Sequence, residues 1–183
     1  MMRTIQDWLL AGAIAVAVAI FCHFFLFESY VVDGDSMEPS LSFGQHILVE
    51  KITYPYGTPH RGDIVVFRYP RNPSRAFVKR VIGLPGDRVE VTGGHVIVNG
   101  LLLNEPYAAG ETEGIYPSTI IPEGRLFVLG DNREVSEDSR SSLVGLVPME
   151  NIEGKVFLRI YPFYAISRLD KQKPHFQREV IRP

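Results

Sequence analysis

From Trp8 to Phe27 the chain runs for 20 residues without a charged side chain, and no other stretch does more to restrict the folds open to it. Twenty residues of helix rise ~30 Å, about one bilayer hydrocarbon core, so the run is expected to span a membrane as a single helix. Ala and Val fill its first half. Its end, Phe24-Phe25-Leu26-Phe27, together with Trp8 and Tyr30, has the composition of an interfacial aromatic belt. Cys22 and His23 near that end read as packing residues able to reach the interface. A cleaved secretory signal is the competing reading, because triplets such as Ala15-Val16-Ala17 occur here. The run is longer than a signal core of ~7–15 residues, however, and the triplets lie inside it. Arg3 and the amino terminus precede the run while Glu28, Asp33 and Asp35 follow it, which favours a cytoplasmic start and an external remainder.

The expected organisation is therefore a cytoplasmic N-terminus over 1–7, a transmembrane anchor over 8–27, an extracytoplasmic domain over 28–169 and a tail over 170–183. That external part is long enough for one domain with its own core. A net charge of −2 supplies no basic field, so no nucleic-acid partner is expected. The single cysteine falls within the presumed anchor, which leaves the external domain without a disulfide or thiolate metal site. His23, His46, His60, His95 and His175 show no ligand spacing, and no metal or cofactor is expected.

Periodicity after the anchor is that of strands. Ile47–Val49, Asp63–Phe67, Phe77–Ile82, Arg88–Val91, His95–Val98, Arg125–Leu129 and Lys155–Ile160 are short β-branched or aromatic runs separated by Gly and Pro. Asn99-Gly100, between Val96-Ile97-Val98 and Leu101-Leu102-Leu103, predicts a type I′ hairpin, and Gly93-Gly94 a second. The fold class expected is mainly β: one N-terminal transmembrane helix, then a compact all-β domain of antiparallel sheets. The basic, apolar-poor residues 170–183 read as a loosely packed tail.

Three places could carry chemistry. Ser36, in Gly34-Asp35-Ser36-Met37-Glu38-Pro39-Ser40, lies just beyond the membrane exit, although a lone serine in a turn is usually a turn residue. Lys79 stands in the middle of an apolar strand, with Phe77 and Val81 on its face and Val78 and Arg80 on the other. If its face points inward, burial must depress an amine that titrates near ~10.4; a shift of about three units demands ~4 kcal/mol from the fold. An exposed edge-strand lysine that discourages aggregation fits the strand pattern as well. The third place is the loop Leu129 to Arg140. Read blandly it is a solvated loop, yet Ser136 offers a neutral hydrogen-bond partner for an amine, and Asp138 with Arg140 an ion pair to lock the loop.

In order along the chain, Gly34–Leu41, Gly44–Lys51, Arg61–Phe67, Phe77–Asp87 and Gly130–Arg140 resemble five blocks of the bacterial type I signal peptidases, membrane-anchored serine peptidases with a Ser/Lys dyad. The resemblance implies Ser36 as nucleophile and Lys79 as general base, with Ser136 orienting the amine, Asp138 and Arg140 as a supporting pair and Asp131 among the supporting residues. Gly34 stands where some members carry an oxyanion-stabilising serine, leaving backbone N–H groups, notably that of Ser36, for that task. The interval after Asp87 is short, so the family's second lobe is expected to be a small hairpin insertion over 88–124.

The implied substrates are secreted preproteins bound as extended strands, with small residues such as alanine one and three positions before the cut. Val32, Met37, Leu41, Val66, Phe77, Val78 and Val128 are the positions implied to line the binding pockets. Tyr54, Tyr56, Phe163 and Tyr164 could touch membrane lipid, and the setting implied is a bacterial plasma membrane near the export translocon. An inactive membrane-tethered β-domain that only binds exported chains is the alternative; the presence of both Ser36 and Lys79 argues against it. A self-cleaving Ser/Lys repressor would carry a DNA-binding domain in front. A penicillin-binding acyltransferase would place a lysine three residues after the serine.

Overall fold

The structure, a computed structural model, describes residues 2–52, 54, 57, 59–169 and 174–176, without the side chains of residues 2, 3, 19 and 21–25. A helix, α1 (Met2–Phe25), is followed by strands β1 (Phe27–Val31), β2 (His46–Glu50), β3 (Ile64–Tyr69), β4 (Asn72–Gly83), β5 (Arg88–Thr92) and β6 (His95–Val98). The remaining strands are β7 (Leu101–Asn104), β8 (Tyr116–Ile120), β9 (Arg125–Leu129), β10 (Val147–Pro148), β11 (Ile152–Tyr161) and β12 (His175–Phe176). The protein is mainly β, and every strand pairing is antiparallel.

The helix ends two residues before the apolar run does. Phe27 instead opens β1, pairs with Glu50 and sets its ring 5.9 Å from that of Phe157. Every described side chain from residue 4 to 18 is exposed, Trp8 and Leu9 at 79% and 70%. Among the described residues no helix is long and apolar enough to cross a membrane; the side chains of Cys22, His23, Phe24 and Phe25 lie outside the described residues.

Seven strands form the first sheet in the order β1-β2-β11-β3-β4-β9-β10. β3 lies at its centre because Ile64-Val65-Val66-Phe67 is apolar on both faces and buried on both. Ile64 and Val66 join Val32, Met37, Leu41, Ile47, Val49 and Val156 in one core cluster. Val65 and Phe67 join Val81, Leu126, Val128, Val144 and Val147 in another. The loop between β1 and β2 is tied into this body by Val32 N–H to Gln45 O and Gly44 N–H to Val32 O.

The second sheet runs β12-β7-β6-β5-β8. Its hairpins turn at Asn99-Gly100 (φ 55° and 78°) and Gly93-Gly94 (φ 58° and 81°), the left-handed pairs that a type I′ turn requires. Val89, Val91, Val96, Val98 and Leu103 pack on Ile82, Phe127 and Leu129, so this lobe sits on the backs of β4 and β9. His175 and Phe176 pair with Asn104 and Leu103 at the edge of β7; residues 170–173 and 177–183 of the expected tail lie outside the described residues.

Tyr54 is not a surface residue: it is buried, and its hydroxyl donates to Asp63 Oδ2 at 3.3 Å, while Lys155 pairs with Asp63 Oδ1 at 2.8 Å. Desolvation and the Asp63 carboxylate push this phenol well above its usual range. Tyr56 lies outside the described residues, whereas Phe163 and Tyr164 are exposed.

β11 and β2 approach closely at Gly154, where an added Cβ would come within 2.2 Å of Glu50 O and 2.7 Å of Val49 Cγ1. Gly154→Ala is expected to destabilise the sheet by ~1–3 kcal/mol, measured as a lowered denaturation midpoint.

Candidate active site

Ser36 projects from a turn that the sequence fixes on both sides. Met37 and Leu41 are fully buried and joined by Leu41 N–H to Met37 O, so they anchor the turn while Ser36, one residue earlier, faces a groove. Gly34, at φ 121°, permits the reversal that precedes it, a backbone region L-residues rarely adopt.

Lys79 comes from β4, opposite Val65 of β3. It is 4% exposed, and its ammonium donates to Ser36 Oγ at 2.5 Å. The aliphatic and aromatic surroundings include the Phe77 ring, whose centroid lies 5.5 Å from Nζ. Desolvation is the largest influence and pushes the amine down to about 8; Asp138, Asp131 and Glu137 oppose it, and Arg140 assists it. A lysine so placed is neutral in a substantial fraction of molecules at mildly alkaline pH.

The loop after β9 closes the site from behind. Asp138 accepts from Gly130 N–H at 3.0 Å and pairs with Arg140, Nε to Oδ1 at 2.9 Å and Nη2 to Oδ2 at 3.0 Å. Asp131 is wholly buried and takes two bonds from Arg80, 2.8 Å from Nε and 2.5 Å from Nη2. Arg80 also donates to Gly62 O and Ser40 Oγ, and its guanidinium lies 3.8 Å from the Tyr107 ring centroid. Asn132 N–H donates to the carbonyl of Ser36 at 3.1 Å, tying the loop to the serine backbone.

Ser136 is in this loop but does not bond to Lys79. Its Oγ is buried without a hydrogen-bond partner among the described residues, close to Gly130, where an added Cβ would meet that Oγ at 2.1 Å and Ser36 O at 2.4 Å. The groove in front of Ser36 and Lys79 encloses about 680 Å³. Val32, Val66, Phe77 and Val78 line it. Met37, Leu41 and Val128 do not; all three are fully buried in the core clusters, where they support the groove from beneath. Sequence reasoning missed Arg75, Glu38 and Glu137 on the groove wall. It also passed over Arg80. Two adjacent cations in one apolar strand, necessarily on opposite faces, were the available signal that each needed its own partner. Among the described residues no three His, Cys, Asp or Glu side chains converge on a metal position.

Residues 5–161 match the family described as signal peptidase, peptidase S26. The chain is 40% identical over 172 residues to a probable signal peptidase I-2 of Synechocystis sp., covering 90% of this chain and 78% of the relative. It is 36% identical over 181 residues to signal peptidase IB of Staphylococcus aureus strain COL, covering 89% and 93%. A solved signal peptidase I from Enterococcus faecalis V583 is 36% identical, covers 54% of this chain and 97% of that one, and superposes with a TM-score of 0.49. The protein is thus a peptidase. It belongs to the signal peptidase family, peptidase S26.

The depressed Lys79 amine has a consequence for stability. Below pH 8 the folded chain must hold a charge in a dry site, and the penalty is complete; stability rises as pH climbs from about 8 toward the ordinary value of 10.5, where the unfolded chain also loses its proton. Lys79→Met is therefore expected to stabilise the fold by up to ~3 kcal/mol at pH 6 and by progressively less toward pH 10. Denaturant unfolding of both proteins across that range measures it.

Proposed function

We propose that this protein removes signal peptides from exported preproteins, with Ser36 as nucleophile and Lys79 as general base. The observation that carries the reading is the buried Lys79 amine 2.5 Å from Ser36 Oγ at the floor of an open groove. In the neutral form Lys79 takes the Ser36 proton as Oγ attacks the scissile carbonyl. The resulting lysinium protonates the departing amine, and the amine then activates water to hydrolyse the acyl-enzyme. The oxyanion is held by backbone N–H groups, that of Ser36 first, because Gly34 brings no hydroxyl.

The groove suits an extended peptide. From Arg75 to Lys79, β4 lies beside β3 on one side only, since its pairing with β9 begins at Arg80. Across the groove lie Tyr30 to Asp35, so a substrate strand can add between the two walls. Val32, Val66, Phe77 and Val78 leave shallow apolar space for small side chains, which supports selection of alanine-type cleavage sites.

α1, 24 residues long and ~36 Å in rise, is the proposed anchor: its described apolar side chains are exposed on every face and nothing in the sheets covers them. Phe163 and Tyr164, exposed at 77% and 93%, would meet lipid at the outer face of the plasma membrane, close to where the export translocon delivers its product.

Ser36→Ala and Lys79→Ala are each expected to abolish cleavage of an Ala-x-Ala preprotein by the detergent-solubilised chain without unfolding it; retained turnover in either variant would refute the assignment. For the wild type, kcat/KM should rise with pH through a midpoint near 8 as Lys79 loses its proton. A flat profile between about pH 6 and 9 would exclude a lysine base.

A further inference from the structure

The catalytic loop is held not only by the sheet that carries Lys79 but also by the second lobe, through a buried ion pair that the proposed chemistry does not use. Arg133 is 2% exposed and Glu105, just after β7, is its partner: Nη1 donates to Oε2 at 2.8 Å and Nη2 to Oε1 at 2.7 Å. The same guanidinium donates from Nε to Gly130 O at 2.9 Å and from Nη1 to Thr112 Oγ1 at 2.5 Å. Tyr107 OH donates to Glu105 Oε1 at 2.8 Å and fixes the carboxylate from its other side.

Backbone bonds run in parallel with this pair. Ala109 N–H donates to Asp131 O at 2.8 Å and Arg133 N–H to Ala109 O at 3.2 Å, a short bridge between lobe and loop. Within that clamped stretch, Asn132 N–H holds Ser36 O at 3.1 Å, and Gly130 packs so closely that a Cβ there would meet Ser36 O at 2.4 Å. The Arg133 side chain, held by Glu105, thus fixes the Gly130 carbonyl, and two residues further on the Asn132 N–H meets the peptide unit of the nucleophile.

We propose that Glu105 and Arg133 are a positioning pair through which the second lobe sets the register of Ser36 against Lys79. The proposal rests on the reading of those two residues as nucleophile and base. Neither member touches substrate; the pair acts by fixing the carbonyl of Gly130, and with it the loop 130–133, against the serine turn. A bond of 2.5 Å between Nζ and Oγ tolerates little displacement, and misplacement of a reacting group by ~1 Å costs on the order of 100-fold in rate. Most of the groove lining, 30–35 and 75–78, comes from other segments, while Asn132, Val135 and Glu137 come from the clamped loop itself.

The test separates positioning from mere stability. Removing one member leaves a buried unpaired charge and destabilises, whereas replacing both by apolar side chains of similar volume is often neutral. Glu105→Gln and Glu105→Leu/Arg133→Met would be compared with wild type and Ser36→Ala by thermal unfolding and by steady-state cleavage of an Ala-x-Ala preprotein. The expected result is that the double variant unfolds at or above the midpoint of Glu105→Gln, while kcat stays ~10- to 100-fold down, a larger change than that in KM, because no donor then reaches Gly130 O. Recovery of kcat together with stability, or a loss confined to KM, would overturn the proposal. If the double variant does not fold, Arg133→Lys, assayed below its own midpoint, reads the same split: it keeps the charge but cannot serve Glu105, Thr112 and Gly130 together. Cleavage by Ser36→Ala would instead refute the underlying dyad, and the positioning role of the pair would fall with it.

Discussion

Everything around this site answers to one constraint, which is holding a lysine amine dry beside a serine in a part of the chain crowded with carboxylates. Burial alone lowers the Lys79 amine, but Asp138, Asp131 and Glu137 pull the other way. Two of the three are each matched to an arginine: Asp138 to Arg140, and Asp131 to Arg80. An arginine neutralises its carboxylate permanently, because it does not lose its proton, and its planar fork satisfies both oxygens at once. Glu137 is exposed, where water screens it. The arginines therefore do more than lock loops: they offset the pull of the acids that hold the loop on the Lys79 amine.

β4 is the element on which the two requirements meet. Consecutive residues of a strand face opposite sides, so Lys79 and Arg80 diverge, one toward Ser36 and the other toward Asp131 behind it. The strand is held on one side by β3 along most of its length and on the other by β9 only from Arg80 onward. That change of pairing is what leaves an open edge ahead of Lys79 and a closed, buried one beyond it. Both an unpaired edge facing the groove and a dry amine thus follow from where one neighbouring strand stops.

How much of this was legible in the sequence depended on whether a residue's role was local. β2, β3, β4, β5, β6, β7, β9 and β11 are marked by apolar, largely β-branched runs, and both glycine-bearing hairpin turns follow from their need for positive φ. β1, Phe-Glu-Ser-Tyr-Val, and β8, Tyr-Pro-Ser-Thr-Ile, are edge strands with mostly exposed side chains, so nothing in their composition announces them. In the site, Ser36 and Lys79 stood out because each was out of keeping with its surroundings. For Met37, Leu41 and Val128, implied by resemblance to line the pockets, a matching position does not say which way a side chain faces; all three are fully buried in the core. Glu105 and Arg133 left no trace at all, since their partnership is made across 28 residues of chain by the packing of one lobe on another.

The orphaned Ser136 hydroxyl fits the same logic of a neutral amine. A buried hydroxyl without a partner costs ~1–3 kcal/mol, and native folds rarely keep one without a reason. In the proposed mechanism the Ser36 oxygen that now accepts from Lys79 becomes an ester oxygen after acylation, a poorer acceptor placed by the bound substrate. The lysine must then turn toward the incoming water, and an uncharged hydroxyl in the loop beside it can receive one of its remaining N–H bonds without restoring a proton. A carboxylate at residue 136 would bind the amine more tightly and, by favouring the ammonium form, disable it as a base. On the proposed mechanism, serine at that point would give up stability in the resting state for an acceptor that leaves the amine neutral.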